Sequence, residues 1–181
     1  MTFLEQISDK RLIELYHYWD RLRGSRFAPA RREIDPGAIP RLLPHLLIAE
    51  YVGEPPRYRF RLVGTEVERH FGTPMTGRFI DELMRGEYRA FICGLYEKLR
   101  SERVPVYSEN SYSSAKESWD FGSDVFRTAR LMLPLSSDGE EVDMTLIGQV
   151  FTTRGSADER TVFVTQDRFD VLRHGEAVAG D

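Results

Sequence analysis

The chain has 181 residues, 41% of them apolar and 30% charged, with a mean hydropathy of -0.42, which excludes a fibrous or disordered protein and predicts one globular domain. At this length a compact fold has a radius of gyration of about 16 Å and buries roughly 70% of its unfolded surface, a core that stands without disulfides or metal staples. Twenty-five Lys and Arg against 29 Asp and Glu leave a net charge of -4, so no bulk positive charge drives binding to nucleic acid or anionic lipid.

Leu12, Leu15, Trp19 and Leu22 recur at spacings of three and four among charged residues, the stripe of an amphipathic helix. Thr2 with Glu5 reads as a capping box at its start, with Ser8 as a competing cap, and Gly24 is the expected stop. The apolar face must be covered, either by the chain's own sheet or by a second copy. The reading adopted is a homodimer through Leu12, Leu15, Trp19 and Leu22. Pro29, Pro36, Pro40 and Pro44 then forbid long regular structure and mark an irregular connector.

Leu46 to Val52 reads as a strand. Arg57 to Leu62 alternates strictly, with three arginines on one face and Tyr58, Phe60 and Leu62 on the other. Thr65 to Glu68 is a capping-box signature opening a short helix, which Gly72 and Pro74 stop. Tyr88, Phe91, Ile92, Leu95, Tyr96 and Leu99 define one face of a longer helix. Val104 to Ser113, Val125 to Leu135 and Val142 to Thr153 are β-rich, the last two joined by the turn sequence Ser136 to Gly139. Beyond Arg154 the chain turns polar, with a short strand possible at Thr161 to Thr165 and a frayed end. The order predicts an α+β domain, an antiparallel sheet with helices on one face. The expected division is an N-terminal helix and connector over 1–30, the domain over 31–154 and a polar tail over 155–181.

That order resembles the PAS fold, five antiparallel strands with helices between the second and third. A closer likeness is to a family of small bacterial PAS-like proteins long catalogued as a domain of unknown function. It is carried by Trp19, Phe27-Ala28-Pro29-Ala30-Arg31, Ile34-Asp35-Pro36, Ile39-Pro40, Leu43-Pro44, Tyr58 to Thr65 and Met75-Thr76-Gly77. The resemblance implies a PAS-type sensory or regulatory module that binds a small ligand or a signalling partner. The chain carries no kinase, cyclase or helix-turn-helix module, so its output is expected in trans.

Tyr58, Phe60, Phe91, Leu95, Met132 and Met144 are the residues expected where the sheet meets the long helix, as a ligand pocket or as a solid core. Arg57, Arg59 and Arg61 are read as a solvated strand face, with Arg61 retained as a candidate anion contact. Cys93, the single cysteine, excludes an internal disulfide and reads as an inert thiol, because the Asn-Cys-Arg-Phe-type motif of flavin-bonding PAS proteins is absent. His17, His45, His70 and His174 lack metal-site spacing, and no haem motif is recognised, although His70 is the one to test. No catalytic motif stands out, so no enzyme activity is expected. The start lacks a signal-peptide pattern and no run approaches the roughly 20 apolar residues of a membrane span, which makes the cytoplasm the expected compartment. A non-catalytic dimerisation or interaction module with a filled core is the alternative, ahead of a small enzyme built from scattered residues.

Overall fold

The computed structural model describes residues 2–114, 124–153, 160–165 and 169–173. Asp9 accepts a hydrogen bond from the Arg11 amide at 2.8 Å and so starts the helix α1, Lys10–Arg23, which Gly24 ends at φ +57°. The Thr2 and Glu5 pair closes a separate 3-10 turn instead of capping α1. Ser8 is also no cap, because its hydroxyl donates to Glu109. Through the proline-rich connector the chain makes three further 3-10 turns, the form expected where prolines remove backbone donors.

The sheet contains β1 (Leu46–Val52), β2 (Arg57–Val63), β3 (Val106–Ser114), β4 (Asp124–Leu135) and β5 (Met144–Thr153) in the order β2-β1-β5-β4-β3, every pairing antiparallel. Between β2 and β3 lie α2 (Thr65–Phe71), α3 (Ile80–Leu83) and α4 (Gly86–Glu102), which carry the chain from one edge to the other. Two further strands, β6 (Arg160–Thr165) and β7 (Phe169–Arg173), add to the β3 edge. The five-stranded expectation thus describes the central sheet, and part of the polar tail joins it as strands.

The two sheet faces are covered by different helices. On the outer face α1 packs Leu12, Leu15 and Trp19 against Ile48, Leu131, Leu133 and Leu146. On the inner face α4 packs Ile92, Leu95 and Leu99 against Leu47, Phe60, Val106 and Met132. This corrects the expected use of the N-terminal helix. Leu12, Leu15 and Trp19 are each 1% exposed within their own chain, and Leu22 packs beside them, so that face is spent on the sheet and is not open to a second copy. The reason is geometric. Strand alternation gives the sheet a second apolar face, and burying it requires a covering layer, which α1 supplies.

A bulge in β2 sets which side chains reach the inner face. Ile48 pairs with Leu62 and Ala49 with Phe60, leaving Arg61 as the extra residue. Past that point alternation shifts by one, so Leu62 joins the outer cluster while Val63 packs on the inner one. Leu62 therefore does not share a face with Tyr58 and Phe60, as strict alternation predicts. Gly64, rather than a side-chain cap, precedes α2, and Glu68 instead accepts from the Met75 amide at 2.9 Å, holding the segment after the helix. No helix among the described residues is long and apolar enough to cross a membrane.

Candidate functional site

The inner face divides into an apolar half and a polar half. In the apolar half Tyr58, Phe60, Leu95 and Met132 come together as expected, all buried, with Phe91 partly buried at the margin. Tyr58 stacks on Tyr96 of α4 at 4.7 Å and 19°, and Tyr51 meets both rings edge-on. Burial pushes the Tyr58 hydroxyl up to about 12 and raises Tyr51 and Tyr96 further, so these phenols stay neutral. The Tyr51 hydroxyl lies 3.0 Å from Thr145 Oγ1, where either can donate.

Two of the expected pocket residues lie elsewhere. Met144 packs against the outer cluster beneath α1, because it pairs with Leu135 and shares that residue's face. Arg61 stands at the bulge, more than half exposed, with Nη1 3.4 Å from Glu50. Arg59 pairs with the same carboxylate, and Arg57 makes a two-pronged bond to Asp81 at 2.9 Å on each arm. All three strand arginines are ion-paired surface groups, as the solvated-face reading has it.

The polar half lies across β3, β4 and β5, where Ser108 is directly opposite Arg130 and Arg130 directly opposite Gln149. All three are at least 95% buried, and Asn110 and Thr128 occupy the next row, equally buried. Gln149 Nε2 donates to Thr128 Oγ1 at 3.3 Å. Arg130 donates from Nη1 to Ser108 Oγ at 3.4 Å and from Nη2 to Tyr88 of α4 at 3.2 Å. No carboxylate among the described residues pairs with this guanidinium. The Asn110 Oδ1 atom is buried with no partner among them.

This row borders a small cavity of about 10 Å³ between the sheet and the helices, with Arg130 and Gln149 on one wall and Phe71, Met75, Met84 and Ile92 among the others. It has room for about one water molecule. Ser108-Glu109-Asn110, polar throughout, and the alternating Thr128-Ala129-Arg130 have the sequence pattern of solvated strands. Only the packing of α4 over it makes it an interior, so the sequence reading missed these residues. The signal available was the polar period-two pattern of Thr128 and Arg130 in β4 beside a polar run in β3.

Glu109 is a buried charge of the opposite kind. It faces the outer side, where Ser8 and Tyr107 hydroxyls donate to it at 2.5 Å and Arg127 at 2.6 Å. Burial acts to raise its pKa, but the Ser8 and Tyr107 hydrogen bonds and the Arg127 charge outweigh it and hold the carboxyl below its ordinary value. Here the buried ion has a charged partner, whereas Arg130 has no carboxylate partner among the described residues.

Cys93 is half-buried on α4, where burial pushes its thiol up, the condition of an unreactive cysteine. His70 stacks on Phe151 at 3.6 Å and 11°, and burial lowers its pKa. His174 lies outside the described residues. No group of three metal-ligating side chains occurs among the described residues.

Comparison with protein-family models matches residues 7–150 to a PAS domain family, a stretch that runs from just before α1 into β5 and includes the polar row. Searches of curated proteins and of solved structures found no significant match.

Proposed function

We propose, from the premise that this chain belongs to the PAS domain family and is at the coarse level a sensory or regulatory module, that it senses a small ligand held between α4 and the inner sheet face. The signal passes to a separate protein through the packing of α2 to α4, without a catalytic step and in the cytoplasm. The observation that carries this reading is the buried row Ser108, Arg130 and Gln149 beside a cavity. Apolar residues would fill such a core at lower cost, since buried polar groups lose hydration that 3.2 to 3.4 Å contacts return only in part.

A second reading has support of its own. The cavity is only about 10 Å³, beside a densely buried apolar cluster on the same face, which favours a non-catalytic interaction module. Native mass spectrometry of the full chain, purified without added ligand, separates the two. A bound mass released on denaturation supports ligand sensing. A clean unliganded mass, unchanged after incubation with cell metabolite extract, favours the interaction module.

A further inference from the structure

We infer, on the basis of the ligand-sensing reading, that Arg130 is the recognition group of the inner site and that the ligand is a small monocarboxylate with a short apolar chain. Among the described residues several exposed and half-exposed arginines hold carboxylates, as Arg57 does with Asp81, Arg59 with Glu50 and Arg127 with Glu109. Arg130, 4% exposed, has two neutral oxygens instead, one at 3.4 Å and one at 3.2 Å. These are at or beyond the long end of N–H to oxygen bonds. A guanidinium carries five donors in a planar fork that matches a carboxylate, and an interior cation without a counter-ion gains most from an anion brought to it.

The surrounding chemistry narrows the class. Arg130 shares the cavity wall with Gln149, whose amide adds a second polar group, while Phe71, Met75, Met84 and Ile92 supply apolar walls. One charged end and an apolar remainder describe a short fatty or aromatic acid. A phosphate or a dicarboxylate would bring more negative charge into an apolar space than one guanidinium neutralises.

At about 10 Å³ the cavity is far smaller than such an acid, so entry must displace side chains. Met75 and Met84 are unbranched thioethers that repack readily. Both lie in the helical layer between β2 and the start of α4. Tyr88, which accepts from Arg130, sits on α4 itself. Occupancy of the guanidinium thus acts directly on the helix that covers the sheet.

The test is calorimetric titration and thermal denaturation of the full chain with butyrate, hexanoate, benzoate and phenylacetate, each beside its neutral amide, and with sodium chloride at matched ionic strength. The expected result is that at least one acid binds and raises Tm, and binds about tenfold or more tighter than its amide. Arg130→Gln is expected to abolish that preference while leaving ligand-free stability unchanged or raised, since it removes a buried charge that no carboxylate among the described residues pairs with. The acid-against-amide comparison in the unaltered protein stands even if the variant does not fold. An amide that binds as well as its acid overturns the role of Arg130 and leaves ligand sensing standing, as does a neutral co-purified mass in the native spectrum. If no probe binds and no mass co-purifies, the ligand-sensing reading and the role of Arg130 fail together.

Discussion

Trp19 on α1 donates its indole N–H to the backbone carbonyl of Pro134 in β4 at 2.8 Å, across 115 residues of sequence. This bond, with the burial of Leu12 and Leu15 around it, seats the N-terminal helix on the outer face of the sheet. Trp19→Phe keeps most of the ring and leaves the Pro134 carbonyl without the indole donor, so it is expected to cost about 1–3 kcal/mol in denaturant titration. Trp19→Ala adds a cavity and is expected to cost about 3–5 kcal/mol. A chain beginning at Phe27 exposes Ile48, Leu131, Leu133 and Leu146 and is expected to scatter light as large, heterogeneous aggregates. A shortened chain that remains discrete and soluble refutes this role for α1.

Gly148 in β5 lies beneath the same helix. A Cβ there meets Leu12 Cδ2 and Leu15 Cδ2, each at 2.7 Å. Gly148→Ala is expected to lift α1 slightly and cost about 1–3 kcal/mol, the usual penalty of overpacking. Gly64→Ala is expected to cost more, because its Cβ meets backbone carbonyl oxygens of Leu43 and Pro44, which cannot rotate away as leucine methyls do. Equal losses for the two variants, measured by urea titration, contradict the argument.

Leu95 and Phe91 share a face of α4 but differ in depth. Leu95 is fully buried, whereas Phe91 is partly exposed at the margin of the inner cluster. Leu95→Ala is therefore expected to cost about 2–5 kcal/mol, and Phe91→Ala less than the about 3–5 kcal/mol of a buried phenylalanine. The ranking is checked by equilibrium unfolding of both variants under one buffer condition.

His45 joins α1 to the sheet through Arg11, whose Nη1 lies 3.0 Å from His45 Nε2. With Nε2 accepting, the proton of the neutral ring sits on Nδ1, which is buried with no partner among the described residues. Burial and the Arg11 charge hold the His45 pKa below its ordinary 6.5, against the weaker opposing pull of Glu66 and Asp9. A depressed folded value means that the unfolded chain takes up the proton first. Stability is therefore expected to be at its full value above pH about 6.5 and to be lost as pH falls from there through the folded value. Denaturation midpoints across that range test this, and His45→Asn is expected to flatten this limb of the curve. Asp9 and Glu109, also held low, add their losses only at more acid pH.

The order of elements is legible in the amino-acid sequence because helical spacing, Gly and Pro stops and strand alternation act over a few neighbouring residues. Leu12 to Leu22 reads as a helix, Ser136 to Gly139 as a turn, and α4 appears with its buried face largely correct. Which layer each element covers is a different matter, because it depends on partners far along the chain. One extra residue at Arg61 sends Leu62 to the face opposite Phe60, and no local pattern announces it. Met144 falls beneath α1 through its pairing with Leu135. The apolar stripe of α1 is equally suited to a second copy or to the chain's own sheet. The tertiary structure decides for the sheet, since the outer face of β1, β4 and β5 needs that cover. Arg130 depends most on the tertiary structure. Alternating among Thr128, Ala129 and Leu131, it has the pattern of an exposed strand residue, and the packing of α4 above it makes it an interior cation without a carboxylate among the described residues.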